Sequence, residues 1–156
     1  ESFSQINVNL IALVLLSIGL ANIIGNALAG QFLDKNTHRL LISLPLFLIL
    51  DLALLFFFGN QALAMMILVV IFGILGGLAG NVNQYMIYSV GEDAPDFANG
   101  LFLAAANLGV TVGTSFTGVF ITLGGGSQFS ILGSIIMLII AFIAILTRQK
   151  WLALLK

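Results

Sequence analysis

Cysteine is absent from this chain, so neither a disulfide nor a thiolate-bound metal is available to it. Charge is nearly as scarce: Asp, Glu, Lys and Arg make up 7% of the 156 residues, where soluble domains carry about 25%. A surface with so little charge cannot be kept wet, which excludes an ordinary water-soluble domain. The single histidine, His38, leaves no set of nitrogen ligands for a metal, and a net charge of −1 lacks the cationic footprint of a nucleic-acid binder. No cofactor and no nucleic-acid partner are therefore expected. What is present is apolar: 60% of residues are hydrophobic and the mean hydropathy is +1.18. Lipid is the solvent that suits such a chain.

The charge-free runs set the number of crossings. Residues 2–33, 52–91 and 97–147 contain no Asp, Glu, Lys or Arg, and one bilayer crossing takes roughly 20 residues. The first run holds one long crossing and the last holds two. The middle run serves two once the apolar stretch from Leu40 is joined to it across Asp51. Clusters of turn residues, "DKNTHR" at 34–39, "FGNQA" at 58–62, "GEDAPD" at 91–96 and "LGGGSQ" at 123–128, place the breaks. The expected spans are 6–33, 40–58, 62–90, 97–123 and 129–147. Runs such as "MMILVVIFGILGG" are continuous rather than alternating, which favours helices over a transmembrane barrel. The expected fold is an all-α, polytopic helical membrane protein of about five transmembrane helices. Its start, "ESFSQ", has neither Met nor the basic residues of a signal peptide, so a fragment of a longer chain is expected.

Five crossings put the links at 34–39 and 91–96 and the C-terminal tail on one side. All five basic residues, Lys35, Arg39, Arg148, Lys150 and Lys156, fall on that side. The positive-inside rule makes it cytoplasmic. The chain is expected in the cell membrane, as an inner-membrane protein, with its C-terminus in the cytoplasm. Topology accounts for Lys35 and Arg39 but not for Asp34, because acids contribute little to orientation.

Residues 30–39, "GQFLDKNTHR", resemble the loop motif of the major facilitator superfamily, G-x-x-x-D-[RK]-x-G-[RK]-[RK]. Gly30, Asp34, Lys35 and Arg39 match, His38 matches in part, and Thr37 replaces the second Gly. Further on, "GEDAPDFANGLFLAAANLGVTVGTSFTGVFI" resembles the tenth-to-eleventh helix region of the sugar- and drug-efflux proton antiporters of that superfamily. The two landmarks together imply helices eight to twelve of a twelve-helix transporter, part of its six-helix C-terminal half, with the N-terminal half missing. The resemblance further implies that Gly30, Asp34, Lys35 and Arg39 form a conformational latch. A side-chain-free Gly30 lets a neighbouring helix approach, and Asp34 can be held there in one conformation and released in another.

Polar residues inside the spans are candidates for the substrate cavity or for helix–helix hydrogen bonds. Asn22 and Asn26 share a face of the first span, Asn81, Gln84 and Tyr88 lie in the third, and Asn107 and Thr111 in the fourth. At 1.5 Å per residue, Asn22, Asn26, Asn81, Gln84 and Asn107 form one layer roughly 9 to 16 Å from the cytoplasmic helix ends. Asn22, Gln84 and Asn107 are expected to face a common cavity, since the resemblance places these three spans around the substrate. Small-xxx-small pairs at Gly73/Gly77, Gly76/Gly80 and Gly109/Gly113 suit close packing or helix sliding.

Asp51 is the one formal charge within a span. It is either a proton carrier or, because the resemblance puts it on a peripheral helix, a structural or lipid-facing acid. Protons are the coupling ion that the resemblance implies, and a neutral polar cavity suits a sugar or an amphipathic drug. A structural or channel-like membrane subunit is the competing class. It explains the hydrophobicity and the glycines, but not the motif joined to the "APD"–"NLG" run. An intramembrane serine protease needs Ser and His together within the bilayer, and His38 lies outside the spans.

Overall fold

The computed structural model describes residues 8–89 and 91–154, with the side chains of residues 8–11, 34–36 and 150–154 also outside the description. Its elements are α1 (Val8–Phe58), α2 (Ala62–Tyr88), α3 (Pro95–Gly124), a single 3₁₀ turn at Ser127–Phe129, and α4 (Ser130–Leu154). The described residues contain no strand. Among the described residues, five lengths of helix are long and apolar enough to cross a bilayer: Ala12–Leu33, Thr37–Phe58, Ala62–Tyr88, Pro95–Gly124 and Ser127–Gln149. The chain is an all-α, multi-pass membrane protein, and the expected spans agree with these to within three residues, apart from the expected start of the first at residue 6, which lies outside the described residues.

The expected break at 34–39 does separate two spans, Ala12–Leu33 and Thr37–Phe58, and only its expected loop backbone is corrected. Residues 34–39 do not form a loop; helical hydrogen bonding continues from Val8 to Phe58, so two spans share one helix. The reason lies in the local sequence. Between Gly30 and Pro45 there is neither Gly nor Pro, and Thr37, which stands where the resembled motif has Gly, turns its hydroxyl back to donate to the Leu33 carbonyl. Polar residues alone do not end a helix.

The direction of α1 nevertheless changes between its arms, Ala12–Leu33 and Thr37–Phe58. Along the first arm, Ile18 and Ala21 meet Gly73, and Asn22 and Asn26 meet Gly77. This arm therefore runs parallel to α2. On the second arm, Leu41 and Leu44 share a buried cluster with Leu78 and Val82, whereas Leu48 and Leu52 lie on a cavity wall with Phe72 and Gly76. That arm is antiparallel to α2. Ala29 of the first arm joins the Leu41–Leu44 cluster, so both arms lie along α2 at the same level.

The remaining elements alternate in the same way. Phe129, ahead of α4, packs edge-on against Phe56 with ring centroids 6.4 Å apart, and Ile145 near its other end packs on the Leu41–Leu44 cluster. At the turn into α3, Gly91 sits against Ala98, Pro95 occupies the first turn and Asp96 stands at the helix N-terminus. α3 ends at Gly125, whose φ of 71° lets its N–H reach the Ile121 carbonyl. Within its most apolar stretch α3 has no buried residue. Leu, Ile and Phe side chains cover much of the outer surface, as a lipid-facing bundle requires.

Candidate functional site

The first arm and α2 meet through glycines and then through amides. A side chain on Gly25 would overlap the Ile74 carbonyl, one on Gly77 would overlap the Asn22 carbonyl, and one on Gly73 would come within 2.8 Å of the Ala21 Cβ. The two backbones are therefore in contact, which only glycine permits. One turn along, the Asn81 amide donates to Asn26 Oδ1 at 2.7 Å and to the Gly77 carbonyl at 2.9 Å. Asn26 in turn donates to Asn22 Oδ1 at 3.4 Å. Three of the expected polar residues, Asn22, Asn26 and Asn81, thus form one chain across a helix joint.

Gln84 and Asn107 stand apart from that chain. Gln84 is half-buried. Seven residues on from Gly77, it lies on the face of α2 that carries Gly73 and Gly77 and meets the first arm, away from the side meeting α3, Asn83 and Met86. Tyr88 is half-buried one turn further on. Asn107 is exposed and donates to its own helix at the Leu103 carbonyl, 2.9 Å away, while Thr111 donates to the Asn107 carbonyl at 2.9 Å. Asn107, Thr111, Ser115 and Thr122 share one exposed face of α3. The opposite face, with Phe102, Gly109 and Gly113, turns toward the neighbouring helices.

Two cavities flank α3. One of about 400 Å³ lies among the second arm, α2, α3 and α4, lined by Leu48, Leu52, Gly76, Gly109 and Ser134 among others. The other, about 410 Å³, lies between α2 and α3 against Asn83, Met86, Phe102 and Ala106. Both fall within the size range of small-molecule sites. Neither is lined by Asn22, Gln84 or Asn107, so these two cavities are not the common one expected for them.

At the other candidate site, Gly30 is exposed and nothing lies within 4 Å of where its side chain would begin. The close helix approach expected there is not made among the described residues. Arg39 and His38 are exposed, and the side chains of Asp34 and Lys35 lie outside the described residues. Asp51, by contrast, is 4% exposed. Both of its carboxylate oxygens are buried without a hydrogen-bond partner, so it faces the protein interior rather than lipid. The sequence marked Asn22 and Asn26 as sharing a face but did not reveal Gly77 as their partner, because a contact between a glycine and a carbonyl 55 positions away, Gly77 and Asn22, leaves no local periodicity.

Comparison with known proteins gives distant, partial relatives. The chain is 28% identical over 140 residues to the "Transcription regulatory protein OpdE" of Pseudomonas aeruginosa, covering 90% of this chain and 35% of that protein. It is 25% identical over 139 residues to a "Probable sugar efflux transporter" in each of two strains of Helicobacter pylori, covering 89% of this chain and 36% of theirs. The chain thus spans about a third of the length of the curated relatives it matches. No family model matches the sequence, and no solved structure matches it.

Proposed function

We propose that this chain forms helices eight to twelve of a major facilitator superfamily transporter, and that the whole protein moves a small molecule by alternating access. The observation that carries the reading is the match of nearly the whole chain to proteins named for sugar efflux, joined to a five-span bundle with Asn and Thr at membrane depth on α2 and α3. In this reading the exposed face of Asn107 and Thr111 turns toward the missing N-terminal half, and Gln84 and Tyr88 complete the cavity from the cytoplasmic end of α2. The substrate is a sugar or a drug-like compound, exported against inward proton flow. Gly30, Asp34, Lys35 and Arg39 are the conformational latch on the cytoplasmic side. The protein sits in the cell membrane with its C-terminus in the cytoplasm. Its partners are lipid, protons, the substrate and the other half of the same molecule.

The name of the Pseudomonas relative gives regulation of transcription to that protein. A net charge of −1 and five apolar spans offer no phosphate-neutralising surface that would favour the same reading here. Reconstitution tests the proposal. The full-length protein in liposomes should drive sugar flux that depends on a pH gradient, and the 156-residue chain alone should drive none, because a midplane site needs both halves. Flux through this chain by itself would contradict the two-half mechanism.

A further inference from the structure

Asp51 is buried in a way that helix packing alone does not explain. It is the only Asp, Glu, Lys, Arg or His between residues 40 and 91. It is 4% exposed, and neither oxygen has a hydrogen-bond partner. Among the described residues no titratable group is placed to answer it. The first arm contributes none, α2 offers only Tyr85 and Tyr88 in its last turn, α3 only Asp96 in its first, and α4 only Arg148 and Lys150 near its end. All of these lie toward the end of the bundle away from Phe58, whereas Asp51 is seven residues, roughly 10 Å, from it. An ionised carboxylate buried without donors is strongly disfavoured, and a neutral acid without a partner ties no helices together. Leu48 and Leu52, the buried residues flanking it on the second arm, form part of the wall of the 400 Å³ cavity. Three hydroxyl-bearing residues, Thr114, Thr117 and Ser134, also line that cavity. Each donates to a carbonyl of its own helix, which leaves lone pairs to receive water.

We propose that Asp51 is the proton-binding site of the transport cycle, a proposal that rests on the transporter reading above. The carboxyl holds its proton while the cavity is dry. When the bundle rearranges and water enters beside Leu48 and Leu52, the O–H bond breaks and the proton passes to that water. The carboxylate left behind takes a proton from water on the other side of the membrane as the cycle returns.

The test uses full-length protein in liposomes with Asp51→Asn, which keeps the shape and removes the exchangeable proton. Substrate exchange without a gradient should stay within about twofold of wild type, while accumulation driven by a pH gradient should fall at least tenfold. Wild-type accumulation with an unchanged pH profile in Asp51→Asn, beside active wild type, would overturn the proposal and leave the transporter reading standing. If the variant moves nothing at all, infrared spectroscopy of the membrane-embedded protein decides. A protonated-carboxyl C=O band that disappears in Asp51→Asn and bleaches as the pH is raised supports the site, even where no sugar is transported. Absence of any such band at every pH overturns it.

Discussion

At the residue scale, the joint between the first arm and α2 depends on atoms that are missing. Gly25 and Gly77 leave room for a carbonyl where any other residue would place Cβ. Gly77→Leu should therefore lower stability by about 1 to 3 kcal/mol, the usual range for overpacking, and lower the melting temperature in detergent. Gly113→Ala, with nothing within 4 Å of its Cβ position, should be neutral or raise it, since Ala is the better helix former by about 0.5 to 1 kcal/mol. Equal effects from the two substitutions would show that the backbones do not touch. The amide bridge is a smaller matter. Asn81→Leu removes the bond to Asn26, and such bonds within membranes average about 0.6 kcal/mol, so it should cost well under Gly77→Leu in the same assay. The polar identity of these positions and the shared face of Asn22 and Asn26 were legible in the sequence. That Asn81 reaches Asn26 across the joint was not, because pairing between distant helices is set by packing.

At the scale of elements, spans were easier to read than breaks. Long charge-free runs mark crossings because a charge inside a bilayer is expensive, and the three such runs account for most of the five apolar spans among the described residues. The reversal at 34–39 was legible in the turn-prone "DKNTHR", whereas the helical bonding that persists through it was not, because that stretch holds neither Gly nor Pro to forbid a helix. The proposed latch sits at that reversal. If Asp34 makes a contact in one conformation only, Asp34→Asn in the full-length protein should cut transport by roughly ten- to a hundredfold, matching the loss of a charge-assisted bond of about 1.5 to 3 kcal/mol. Abundance and membrane insertion should stay near normal. Lys35→Gln should do less, since Arg39 and the basic C-terminal residues still mark the same side. Efflux measured beside the amount of inserted protein separates a latch from a purely topological loop.

At the scale of the whole molecule, the described bundle has two kinds of exposed surface on α3. One face carries Asn107, Thr111, Ser115 and Thr122; beside it another carries Leu101, Leu108 and Val112. Their hydroxyls bond back to the helix, yet exposed amides remain costly against hydrocarbon. The proposed transporter resolves the contrast by giving the apolar face to lipid and the polar face to a water-filled path shared with the missing half. Composition and motif brought this whole-molecule reading within reach of the sequence. The separation of Asn107 from the Asn22–Asn26–Asn81 chain was beyond it, because shared depth does not fix which way a side chain turns.

Because this chain contains no cysteine, single cysteines can report on that division directly. The decisive measurement is labelling of Asn107→Cys and Leu108→Cys, each in a full-length protein otherwise free of cysteine, by a membrane-impermeant maleimide in intact vesicles. The transporter account predicts rapid labelling at 107 that transported substrate slows, and little or none at 108. Labelling at 108 but not at 107, or labelling at 107 that no transported substrate alters, would contradict it.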